Sequence, residues 1–158
     1  MHRGAIDRFY TIIYHINITN NNNSMVKTYT KEQKAAYFQK LRDDWKLSKQ
    51  MAENNENTKA MFRESGLEGV SLTSFHYVLQ QMQAQKINGI PYVHAKTFNK
   101  WVEAGFKVKR GSKSTLEGIT WVSAKGKEEK EKKNGEEDIS YIFPKVYHLF
   151  HEGQVEAI

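Results

Sequence analysis

The apolar spacing of this chain changes period once, near Gly105, and that change limits the fold more than any other feature of the sequence. Upstream, Ala36, Tyr37, Leu41, Trp45 and either Leu47 or Ser48 fall near one helical stripe, with Thr30 or Lys31 placed to start the helix and Asn54 to Asn57 placed to break it. A second helical stretch runs around Thr58 to Arg63 and ends near Gly66 and Gly69. Ser71 or Thr73 can cap a third helix through Phe75, Val78, Leu79 and Met82 to about Gln85, after which Asn88-Gly89-Ile90-Pro91 forces a turn. A last helix is expected from about Ala95 to Ala104, with Phe98, Trp101 and Val102 on its buried face and Gly105 as its C-terminal cap. Downstream the alternation is strand-like over Lys107–Lys109, Leu116–Ser123 and Ile139–Phe150. The expected class is α+β: N-terminal helices packed on a small antiparallel β-sheet. Pro144 lies inside the last run, so that strand should lie at an edge, be bulged, or be split.

The 158 residues allow one domain with a real core and a tail. Residues 1–24 end in an asparagine run and Ser24, and they read as a flexible extension, with Met25 as an alternative start. Residues 25–158 form the expected single domain. Within it, residues 125–138 carry five lysines and six acids with no apolar side chain, the composition of a solvated, disordered hairpin loop. The one apolar run near the start, Phe9 to Ile18, is broken by His15 and Asn17 and is shorter than the roughly 20 residues of a spanning helix. No small-residue cleavage site follows it, so neither a membrane span nor a secretory leader is expected. The chain has no cysteine, which removes disulfides, thiol nucleophiles and cysteine-ligated zinc and fits a reducing, cytoplasmic location.

A formal net charge of +6 and a pI near 9.4 favour an anionic partner. Most of that excess is concentrated over residues 96–113, where Lys96, Lys100, Lys107, Lys109, Arg110 and Lys113 are opposed only by Glu103. A cationic track of this kind binds a single strand when aromatic faces beside it accept stacked bases, each stack contributing about 1–3 kcal/mol. The candidate faces are Trp121, Tyr141 and Tyr147, with Tyr92 as a further one, whereas Trp101 reads as core. No helix carries several basic residues as a duplex recognition helix would.

The stretch from about Ser71 onward resembles the N-terminal domain of the ArdC anti-restriction family, which occurs on plasmids, phages and other mobile elements. The resemblance lies in Trp101, Gly105, Val108, Lys109-Arg110-Gly111 and Lys113, in the closing Val146-Tyr147-His148-Leu149-Phe150-His151-Glu152-Gly153-Gln154, and more loosely in the Ser71 to Gln83 helix. It covers a little over half the chain and implies binding of single-stranded DNA with little sequence preference. Fuller members of that family continue into a metallopeptidase domain with His-Glu-x-x-His. That motif is absent here, so peptidase activity is not carried over.

No enzyme, cofactor or metal is expected. His148 and His151 are three apart on an expected strand, where they point to opposite faces, so they do not make a metal pair with Glu152. The Lys109 to Lys113 run lacks the preceding glycine of a phosphate loop, and no nucleophile triad can be placed by spacing. The expected function is non-enzymatic capture of single-stranded DNA, with RNA not distinguished from it, in a mobile-element setting. The competing reading is a protein-interaction module that docks its basic face on a nuclease complex, with the Lys40 to Lys46 helix segment also taking part.

Overall fold

The structure, a computed structural model, describes residues 28–124 and 141–158. The chain divides into a short unit, residues 1–31, and a body, residues 32–158. Both the extension expected at 1–24 and the charged loop expected at 125–138 lie outside the described residues.

Three helices lead. α1 spans Lys31–Glu53, α2 Glu56–Ser65 and α3 Leu72–Ala84. Their ends follow the local chemistry of the sequence. Asn55 caps α2, its side chain accepting from the Thr58 amide at 3.0 Å, and Gly66 closes that helix with φ of +64°, a left-handed conformation that favours glycine. Ser71 caps α3, accepting from the Ser74 amide at 3.1 Å. The stripe of α1 resolves in favour of Ser48: it is buried and its hydroxyl donates to the Thr73 carbonyl at 3.2 Å, whereas Leu47 is 57% exposed. Among the described residues no helix is long and apolar enough to cross a membrane.

The strands form two small antiparallel sheets instead of the single one expected. β1 (Ala95–Lys96), β4 (Tyr141–His151) and β3 (Leu116–Ala124) make a three-stranded sheet in the order β1-β4-β3. β2 (Phe106–Val108) leaves that sheet and pairs with β5 (Val155–Ala157), a strand too short to show in the sequence pattern. The core lies where α3 meets the larger sheet: Val78 and Met82 pack with Ala95, Leu116 and Leu149, flanked by Ile87, Tyr92 and Tyr147. Gln81 clamps the two layers, donating to the Glu117 carbonyl at 2.7 Å and accepting from the Glu117 amide at 2.9 Å. α1 meets the hairpin through aromatic edges, Trp45 on Trp121 and Phe38 on Phe143.

Pro144 is accommodated without a break. The Glu117 amide points away from β4 toward Gln81, so residues of the same parity, including Trp121, form non-hydrogen-bonded pairs with β4. Pro144 is the partner of Trp121, and its missing N–H therefore faces away from β3. On that side β1 reaches only Phe150 and His151, so Pro144 is at an edge as far as its own backbone is concerned.

His76, on α3, is 4% exposed and both its ring nitrogens lack a hydrogen-bond partner among the described residues. Burial holds its pKa below the ordinary value. The folded imidazole thus stays neutral while the unfolded one protonates near pH 6.5, so stability falls as the pH drops below about 6.5, by up to about 1.4 kcal/mol per unit until the folded pKa is reached. Glu117 acts in the opposite sense, because burial raises its pKa and its folded carboxyl protonates first. Comparing the wild type with His76→Leu cancels that contribution. Urea melts at pH 7 and pH 5 should show a smaller loss of stability on acidification in His76→Leu, and equal losses in the two proteins would contradict the neutral buried imidazole.

Candidate nucleic-acid interface

The six predicted cations lie on one stretch of chain anchored at the C-terminal end of β4. Lys96 belongs to β1, opposite Phe150. Thr97 then caps α4 (Phe98–Glu103), its hydroxyl accepting from the Lys100 amide at 3.4 Å. The helix is therefore shorter than the expected Ala95 to Ala104, because the first two of those residues are taken by the sheet. Trp101 is buried, and its indole N–H donates to the Phe150 carbonyl at 2.8 Å. The ring also meets the edge of Phe106 at 5.6 Å and carries the Lys96 ammonium 5.4 Å from its centroid, a cation–π arrangement. Phe98 and Val102 depart from the expected buried face and are exposed. α4 is only six residues long and is tied to the body through Trp101, so the side shared by residues 98 and 102 faces outward.

Gly105 follows the C-cap residue Ala104 with φ of +88° and lets the chain reverse into β2. There Phe106 faces Ala157, Lys107 faces Glu156 and Val108 faces Val155, and the Ile158 amide extends the pairing to the Gly105 carbonyl. The basic turn comes next. The Ser112 amide closes on the Lys109 carbonyl at 3.0 Å, with Gly111 at φ of +83° in the position where such a turn demands a left-handed residue.

Gln154 holds both ends of this turn. Its backbone carbonyl accepts from the Lys109 amide at 2.8 Å, and its side-chain amide donates to the Lys113 carbonyl at 2.7 Å. Its side-chain oxygen accepts from the His151 amide at 3.1 Å while the His151 ring accepts from the Gly153 amide at 3.2 Å, a reciprocal capping box on the 3-10 turn Glu152–Gln154. The Glu152 amide donates to the His94 carbonyl at 2.8 Å. His148, by contrast, lies 4.0 Å from Glu117 across the β3–β4 ladder. The two histidines thus have separate tasks, as their strand spacing implies.

The cations are not equivalent. Lys100 pairs with Glu103 at 2.8 Å and Lys107 with Glu156 at 3.5 Å, both in exposed positions where such pairs contribute little and exchange readily. Lys109 donates to the Gly153 carbonyl at 3.3 Å. Arg110 and Lys113 project from the fixed turn, are exposed, and have no ion-pair partner among the described residues.

The stacking residues expected on the sheet are not brought to this site. Trp121 packs edge-on against Trp45 at 5.8 Å, and its partner Pro144 is six residues from Phe150 along β4, about 20 Å by strand rise. Tyr147 lies over Gly118, where a Cβ would overlap its ring, and its hydroxyl bonds that of Tyr92. Burial raises the pKa of both tyrosines, so they are neutral core partners. Tyr92 holds that position at φ of +65°, a conformation uncommon outside glycine. Tyr141 opens β4 opposite Ala124, at the far end of the strand from the basic turn. The structural task of Gln154 goes beyond the expected closing strand. The signal for it was His151-x-x-Gln154, a polar cap followed three residues later by glutamine.

Gln154→Ala should free the turn: stability should fall by about 1–3 kcal/mol from the lost side-chain hydrogen bonds, and the amides of residues 109–113 should lose protection from hydrogen exchange while those of α3 keep it. Unchanged protection in the turn would show that Gln154 does not hold it. No protein-family model, curated protein or solved structure matches this chain.

Proposed function

We propose that this protein is a non-enzymatic binder of single-stranded DNA with little sequence preference, and that the turn Lys109–Lys113 is the centre of its phosphate contacts. The observation that carries the reading is the pinned geometry of that turn: Gln154 fixes both ends, and Arg110 and Lys113 extend from it without ion-pair partners among the described residues. A flexible lysine tail would lose side-chain and backbone freedom on meeting a phosphate chain. A prearranged turn has given up the backbone part of that freedom already. Lys96, Lys107 and Lys109 extend the positive field along the same module, and the exposed pairs Lys100–Glu103 and Lys107–Glu156 can exchange a carboxylate for a phosphate at small cost.

The resemblance to the ArdC N-terminal domain supports the same ligand, and it adds a mobile-element setting and a link to anti-restriction or DNA processing. The quoted residues of that resemblance, Trp101, Gly105, Lys109-Arg110-Gly111 and Gln154, are the ones that build this turn and its anchor. The reaction-free mechanism is electrostatic capture, with counterions released from the phosphates.

Replacing Arg110 and Lys113 together by alanine should weaken binding of a labelled oligonucleotide uniformly across sequences. The slope of log affinity against log salt should become shallower by about 1.4, since each lost phosphate contact removes about 0.7 on a single strand. The fold should be unaffected, because both side chains are exposed. Native circular dichroism with unchanged affinity and slope would place the phosphate contacts elsewhere.

A further inference from the structure

Among the described residues eight large apolar side chains are exposed; three of them, Phe98, Val102 and Phe106, belong to the segment that also carries the cations, and a fourth, Ile158, is paired to it. Phe98 and Val102 are four apart and share one side of α4. Phe106 follows one tight turn later, and Ile158 is joined to that turn by its amide N–H, which donates to the Gly105 carbonyl. Beneath them the anchor is rigid, because the Trp101 ring lies against Phe106 and its N–H is fixed to Phe150. Phe98 is 53% exposed and Phe106 37% exposed, so each ring presents apolar area to solvent while its backbone is held by helix or ladder.

We infer that Phe98 and Phe106 form the base-stacking platform of this protein, taking the place of Trp121 and Tyr147, and that the ligand on it is a single-stranded nucleic acid whose phosphates meet the basic turn. This deepens the single-strand reading above and rests on it. Charge decides between a base and an apolar protein surface as the occupant. Lys96 lies over the neighbouring Trp101 ring, Lys100 is on the same helix, and Lys107 to Lys113 continue directly from Phe106. An apolar protein patch placed here would force these cations against a dry interface, whereas a nucleotide brings a flat π-face and an anion together. The stacking is also independent of sequence, because every base has such a face.

Base stacking and phosphate capture can be measured separately. The full chain and the variants Phe98→Ala and Phe106→Ala are titrated by anisotropy against a labelled oligothymidylate, and against an abasic deoxyribose-phosphate chain of the same length, at the same salt. The wild type should bind oligothymidylate at least about tenfold more tightly than the abasic chain. Each variant should lose roughly five- to tenfold or more on oligothymidylate, with little change on the abasic chain and an unaltered salt slope. Circular dichroism confirms that the variants are folded. Phe98→Tyr, which keeps a stacking face, should retain most of the affinity and guards against a purely structural loss. If the wild type binds both chains with a steep salt slope and the phenylalanine variants match it, the platform is overturned and phosphate capture stands. If the wild type binds neither chain at low salt, the nucleic-acid reading itself falls, and the platform with it.

Discussion

The buried Trp101 side chain, whose indole N–H donates to the Phe150 carbonyl, seats the cationic module on the end of β4, beside the β1–β4 ladder and the Gln154 hydrogen bonds. Truncating an aromatic side chain in such a position typically costs about 3–5 kcal/mol. That is a large share of the stability of a domain this size. The elements bearing the basic residues gather around this contact. β1 enters beside Phe150, α4 carries the tryptophan, and β2 leaves from the glycine that ends α4. The end of β4 continues through the capped 3-10 turn to Gln154 and β5, which return to hold β2 and the basic turn.

The arrangement separates two tasks. The helical layer and the β3–β4 hairpin supply the core, with Val78 and Met82 against Leu116 and Leu149 and with Gln81 satisfying both backbone groups of Glu117 at the sheet edge. The second, two-stranded sheet has little core of its own and borrows its rigidity from Trp101 and Gln154. Charged side chains can therefore collect on it without being buried. Their mutual repulsion is eased by Glu103 and Glu156 in solvent-exposed pairs.

Much of this organisation was legible in the sequence, because helix starts and stops are local. Ser71 and Gly66 act where their side chains or backbone freedom predict, the expected break at Asn54 to Asn57 supplies the next helix's cap, Asn55, and the change of period near Gly105 correctly announced helices followed by antiparallel strands. What the sequence concealed was non-local. A two-residue strand such as Ala95–Lys96 has no periodicity, and its β character comes from pairing with His151 and Phe150, more than fifty residues away. β5 is hidden for the same reason. Trp121 alternates correctly for a half-exposed strand position, and nothing near it in sequence reveals that Trp45 covers it. Tyr147 alternates as an open strand position would, but Gly118, opposite it, leaves the space its ring fills. Conversely, the spacing of Phe98, Trp101 and Val102 predicts one buried face, but a helix of one and a half turns tied down at Trp101 buries only that residue.

Binding of this kind engages flat bases and phosphates together, which a duplex cannot offer because its bases are stacked on one another. The most direct measurement is a pair of anisotropy titrations at one salt concentration, with a labelled single strand and with the same strand annealed to its complement. Binding should be clearly tighter to the single strand. Equal or tighter binding to the duplex would contradict single-strand capture and reduce the basic turn to a nonspecific cationic patch.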